Sequence, residues 1–143
     1  MESPREILAE IAETFALDIV YAFGSRGKEA AEKLAERTPE SGDGSSPSDM
    51  DIGVKPVHGH RLSVRDKVRL ACALEDLFDV SRVDLVVLSE CDPFLAANIV
   101  RGERIFEQDS YRADEYDLYV LRRAGDLEPL ERERIALIMG TVK

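Results

Sequence analysis

Apolar residues recur along this chain in two periods, one helical and one of alternating strand type. Ile7, Leu8, Ile11, Ala12 and Phe15 fall at helical spacing behind Ser3-Pro4-Arg5-Glu6. There Ser3 can cap, Pro4 suits the first helical position and Glu6 completes a capping box. Residues 19–23 are a short apolar run ending at Gly24, which reads as a buried strand. Ala30, Ala31, Leu34 and Ala35 predict a helix over 26–37, and the Gly, Ser and Pro content of 38–48 predicts a loop. Met50, Ile52 and Val54 then alternate with Asp49, Asp51 and Gly53, so a strand over 49–54 puts the apolar set on one face and both aspartates on the other.

Further on, His58-Gly59-His60 reads as a turn, with two histidines too few for a zinc site. A helix follows over 61–78, with apolar stripes at Val64, Val68 and Ala71 and at Leu70, Leu74, Leu77 and Phe78. Residues 82–88 form a third strand, 93–100 a short helix and 104–107 a short strand. Asp109 or Ser110 caps a helix that carries Tyr111, Tyr116 and Tyr119, whose rings pack with polar tips outward, and that stops near Gly125. A last helical segment near 129–139 gathers Ile135, Leu137, Ile138 and Met139, which either pack back on the core or dock a partner. The fold class is α+β, a small mixed or antiparallel sheet flanked by helices. Residues 1–125 form the domain and 126–143 a C-terminal helical tail.

Composition narrows the function. The 143 residues suit one domain with a real core, and 44% hydrophobic with 34% charged residues fits a soluble globular protein. No apolar run approaches a membrane span, and the N-terminus lacks the basic start and apolar centre of a secretion signal, so the expected compartment is the cytoplasm. A net charge of −10, from 29 acidic and 19 basic residues, argues against direct nucleic-acid binding, which needs a basic footprint. Cys72 and Cys91 are the only cysteines, too few for a disulfide framework or a zinc site. Cys72 reads as a small core residue and Cys91 as a residue near a strand end.

The candidate chemistry is acidic. Asp49 and Asp51 share a strand face roughly 7 Å apart at the backbone, within reach of one hard cation such as Mg²⁺. Asp84 interrupts the otherwise apolar run 83–88, where a charge is costly unless it binds metal or pairs, with Arg82 or Arg61 as the available partners. Gly24-Ser25 stands at a strand-to-helix junction, where glycine allows close backbone approach and Ser25 can cap a helix whose N-terminus suits phosphate.

The order Tyr21-Ala22-Phe23-Gly24-Ser25-Arg26-Gly27, then Ser48-Asp49-Met50-Asp51-Ile52-Gly53-Val54, then Val83-Asp84-Leu85-Val86 resembles the polymerase-beta-type nucleotidyltransferase fold. The small size resembles its minimal nucleotidyltransferase (MNT) branch, the antitoxins found beside HEPN toxins. The resemblance implies that Gly24 and Ser25 hold the nucleotide's phosphates, with Arg26 available to touch them. It implies Asp49 and Asp51 as the metal pair, and Asp84 as the third acid, which joins the metal site and helps activate the incoming hydroxyl. It implies two Mg²⁺ ions, ATP as donor, a tyrosine hydroxyl on a HEPN-type RNase toxin as acceptor, and a hetero-oligomer with that toxin. The 23 residues from 26 to 48 form a longer spacer than the family's motif usually has. Two other readings fit the same residues: an antitoxin that acts by binding alone, and a small-molecule nucleotidyltransferase. The second usually carries an extra helical domain, for which the 55 residues after Leu88 leave little room.

Overall fold

A computed structural model describes residues 2–35 and 49–140. The expected loop over 38–48, and the end of the helix expected over 26–37, lie outside the described residues.

Helix α1 (Pro4–Thr14) starts as its sequence requires, with the Glu6 amide donating to the Ser3 hydroxyl at 3.3 Å and Pro4 in the first turn. The full reciprocal capping box forms elsewhere, at Ser63 and Asp66, and opens α3 (Val64–Phe78) three residues later than the apolar pattern implies. Strands β1 (Leu17–Phe23), β2 (Met50–Pro56), β3 (Val83–Val87) and β4 (Glu103–Glu107) form one mixed sheet in the order β3-β2-β1-β4. The β1–β2 and β1–β4 pairs are antiparallel, and β2–β3 is parallel through the α3 crossover. The central strand β1 is buried along its whole length because both faces of the sheet are covered.

On one face, Leu8 and Ala12 of α1, Ala30 and Leu34 of α2 (Gly27–Leu34) and Leu70, Leu74 and Phe78 of α3 pack on Val20, Ala22, Met50, Ile52, Val54, Val83 and Val87. The expected second stripe of α3 is not part of this core. Val64 is 78% and Val68 59% exposed, since a helix on a sheet buries one side only and Leu70, Leu74 and Phe78 already fill it. Cys72 is likewise exposed rather than a core residue, because two residues from both Leu70 and Leu74 put it on the opposite side of the helix from the buried line.

The opposite face carries α4 (Pro93–Val100) and α5 (Ser110–Ile138), packed on Ile19, Tyr21 and Phe23 through Ile99 and Ala113. Here Gly53 is required by packing. A Cβ at that position would lie 2.6 Å from Ile99 Cγ2 and 3.1 Å from Leu88 Cδ1. Gly53→Ala is therefore expected to destabilise the fold by about 1–3 kcal/mol, read from the denaturant midpoint.

Two polar anchors fix α5. The buried Tyr21 hydroxyl donates to Asp117, which also accepts from Arg104 Nη1 at 2.9 Å. Burial, reinforced by the bond to Asp117, pushes the Tyr21 hydroxyl far above its usual range and keeps it protonated. Nearer the start of the helix, Arg112 Nη2 donates to the buried Asp18 at 2.9 Å, with Lys55 Nζ 3.6 Å from the same carboxylate.

The helix does not stop near Gly125. It runs unbroken for 29 residues, with Pro129 inside it. A single helical glycine costs about 1 kcal/mol, and the stretch beyond carries Glu128–Arg132 and Glu131–Arg134 pairs at helical spacing. Of the late apolar cluster, Leu137, Ile138 and Met139 are mainly exposed, whereas Ile135 lines a groove with Phe94 and Ala97 of α4. Ile135 is itself 48% exposed, and the last fully buried residue of α5 is Ala124. Removing residues 126–143 is therefore expected to lower the melting temperature by no more than about 5 °C. Among the described residues no helix is long and apolar enough to cross a membrane.

Candidate active site

The β2–β3 register decides where the acids fall. Asp51 stands directly beside Asp84, and on its other side Asp51 pairs with Phe23, the last residue of β1. Adjacent strands lie about 4.8 Å apart, so two carboxylates from separate parts of the sequence share one end of the same sheet face. Asp49 immediately precedes β2. It joins this group through Arg82, whose Nε lies 3.7 Å from Asp49 Oδ2 and 3.2 Å from Asp84 Oδ1.

The Gly24-Ser25 corner closes the other side of Asp51. Gly24 has φ +73°, in the left-handed region that glycine enters freely. A Cβ on Gly24 would lie 2.4 Å from Asp51 Oδ2, so the absence of a side chain is what lets the corner sit against the carboxylate. Gly102, between α4 and β4, supports the corner from behind, since a Cβ there would lie 2.6 Å from the Ala22 carbonyl oxygen and 3.0 Å from Phe23 Cβ.

Ser25 does not cap α2 as expected. A single 3₁₀ turn over Gly24–Arg26 separates strand from helix, Arg26 takes the cap position, and α2 has no side-chain cap. The extra turn leaves Ser25 exposed beside Gly24. Arg26 is half-buried and pairs with Glu29 one turn along.

The electrostatics follow from this grouping. Burial raises the Asp51 carboxyl above the ordinary aspartate range, and the charges of Asp84 and then Asp49 raise it further. Among the described residues no three His, Cys, Asp or Glu side chains form a ready metal cluster, and Arg82 draws Asp49 and Asp84 to its own guanidinium. The donor set itself fits a hard divalent cation. It offers only carboxylate oxygens, with like charges that a cation would relieve.

A family model described as "Polymerase beta, Nucleotidyltransferase" matches residues 6–111. The chain belongs to this nucleotidyltransferase family. No protein of curated function is significantly similar in sequence. Several solved structures share the fold of this nucleotidyltransferase. A chain in the crystal structure of a toxin-antitoxin with AMP-PNP superposes with TM-score 0.67 at 18% identity, covering 94% of this chain and 98% of its own. A chain of the toxin-antitoxin MntA-HepT gives 0.62 at 19%, covering 96% of each. A chain from the complex of tri-AMPylated Shewanella oneidensis HEPN toxin with MNT antitoxin gives 0.62 at 21%, covering 96% of this chain and 95% of its own. At these identities the likeness is one of fold.

Asp51 and Asp84 thus share one end of one sheet face, with Asp51 against Gly24, and Asp49 stands just before β2 with Arg82 between it and Asp84. The parts not read from sequence are the supports. Gly53 and Gly102 carry close packing, and Asp18 sits buried in β1. The run Leu17-Asp18-Ile19 held a signal for the last of these, a charge inside an apolar strand like that of Asp84.

Proposed function

We propose that this chain is an antitoxin-type protein adenylyltransferase that moves AMP from ATP to a hydroxyl, that of a tyrosine, on a HEPN-type RNase toxin with which it forms a hetero-oligomer in the cytoplasm. The observation that carries this reading is Asp51, in register with Asp84 on one side and against the Gly24 corner on the other. The fold-mates crystallised with AMP-PNP and with an AMPylated HEPN toxin give the donor and the acceptor class.

The chain's own groups divide the work. The Gly24-Ser25 corner offers backbone and hydroxyl donors to the triphosphate, and the absent Cβ keeps that path open to Asp51. Asp49, Asp51 and Asp84 would hold the divalent cations, two Mg²⁺, whose charge offsets that of the triphosphate and of the pyrophosphate that leaves. Asp84, with an exposed side chain and matching the family's third acid, would be the acid that meets an incoming hydroxyl. Its carboxylate accepts the hydroxyl proton as the oxygen attacks the α-phosphorus. The new O–P bond forms as the bond to pyrophosphate breaks, with no covalent enzyme intermediate. The exposed Leu137, Ile138 and Met139 at the end of α5 supply an apolar surface for the toxin, with residues 126–143 acting as a docking tail on the domain formed by 1–125.

The test is protection of cells expressing the partner toxin by an Asp49→Ala/Asp51→Ala variant. Loss of protection with retained complex formation supports transfer. Full protection would make the chain a neutraliser by contact alone.

A further inference from the structure

Arg82 is placed where the acids of the site need a positive charge. Its backbone is fixed, because the Met50 amide donates to the Arg82 carbonyl at 3.1 Å and so ties the entry of β3 to the entry of β2. Arg82 and Asp84 are two residues apart across the start of a strand and therefore share a face. From that position Nε lies 3.2 Å from Asp84 Oδ1 and 3.7 Å from Asp49 Oδ2, one carboxylate in β3 and the other just before β2. Among the ion pairs of the described residues, Arg82 pairs with Asp84 and Asp49 and not with Asp51.

We propose that Arg82 is a tethered counter-ion that competes with the divalent cation for Asp49 and Asp84, so that metal binds only as the guanidinium is displaced. This rests on the reading of the three acids as the metal site.

The physical basis is direct. A cation held by Asp49 and Asp84 must come within a few ångströms of the guanidinium that lies 3.2 Å and 3.7 Å from one oxygen of each. Two like charges a few ångströms apart oppose one another even in water. The Arg82 side chain is 68% exposed, and exposed pairs of this kind are weak and short-lived. The guanidinium therefore offsets part of the charge of the two carboxylates, and is held loosely enough to leave when a stronger cation arrives. Arg82 is a positioning residue in this account and touches no reacting atom. It raises the metal concentration the site requires.

The test measures Mn²⁺ affinity of the full chain without nucleotide, from the free-ion paramagnetic resonance signal, in wild type, Arg82→Gln, Arg82→Lys and Asp51→Asn. Arg82→Gln is expected to tighten Mn²⁺ binding about tenfold, the effect of removing one nearby like charge and two exposed pairs. Arg82→Lys keeps the charge and is expected to stay within about threefold of wild type. Asp51→Asn is expected to lose most binding. A thermal melt of each variant checks the fold, which a side chain this exposed should not compromise. Unchanged or weaker binding in Arg82→Gln, with Asp51→Asn still defective, overturns the competition and leaves the metal site standing. Equal tightening in Arg82→Lys also overturns it, since charge would not be the cause. Unchanged binding in Asp51→Asn removes the metal site and the inference together.

Discussion

Asp51→Asn is expected to abolish nucleotidyl transfer, by about 10³-fold or more, while the chain stays folded. A metal site supplies several kcal/mol of charge stabilisation, and each 1.4 kcal/mol is about tenfold in rate. Asp51 stands between Asp84 and the Gly24 corner, so asparagine there removes the central charge of the proposed metal site while keeping the side chain's size. Stability should move the other way. The Asp51 carboxyl is raised in the folded chain, so the folded state holds that proton more tightly than the unfolded state does. The stability this contributes is present below the ordinary aspartate range and is lost as pH rises through the raised value. At neutral pH the ionised group is thus a liability in the metal-free protein. The asparagine variant should melt above wild type at neutral pH without metal, and the difference should vanish in acid. Saturating Mg²⁺ should reverse the order by stabilising only the wild type. A variant that melts below wild type at neutral pH without metal would show that the acids do not repel one another.

Gly24→Ala is expected to cost about 10²-fold in transfer while stability falls by only about 1–2 kcal/mol. The stability cost comes from placing an L side chain at φ +73°. The activity cost comes from the new Cβ, 2.4 Å from Asp51 Oδ2, which forces the carboxylate or the corner to move. Displacements near 1 Å at a site of this kind cost about 10²-fold. The position is exposed, so little packing is disturbed. Initial rates and melting curves on the same preparation separate the two effects. Wild-type rates with a lowered melting temperature would mean that the corner is structural and not part of the site.

The strands were legible because period-two alternation survives burial. Met50, Ile52 and Val54 face one layer as their spacing implies, and the aspartates face the other. The acids could be read as a group because each breaks an apolar pattern. Arg82 was legible as a partner for Asp84, though its second contact with Asp49 required the parallel register.

Other features depended on tertiary context. Ser25 reads as a cap until one 3₁₀ turn is inserted after β1. Gly125 reads as a stop, yet one glycine is a weak break that the helical ion pairs beyond it offset. Cys72, Val64 and Val68 read as core by hydrophobicity alone, but which side of α3 meets the sheet depends on residues distant in sequence. Glycines such as Gly53 and Gly102 carry no pattern at all, because the atoms they make room for, in Ile99 and Ala22, are far away along the chain.

The most direct test of the central claim is the intact mass of the partner toxin after incubation with this protein, ATP and Mg²⁺. A gain of whole AMP units on the toxin, mapped to a hydroxyl and absent with Asp51→Asn, is the predicted result. An unmodified toxin that the wild-type protein nonetheless silences would contradict it.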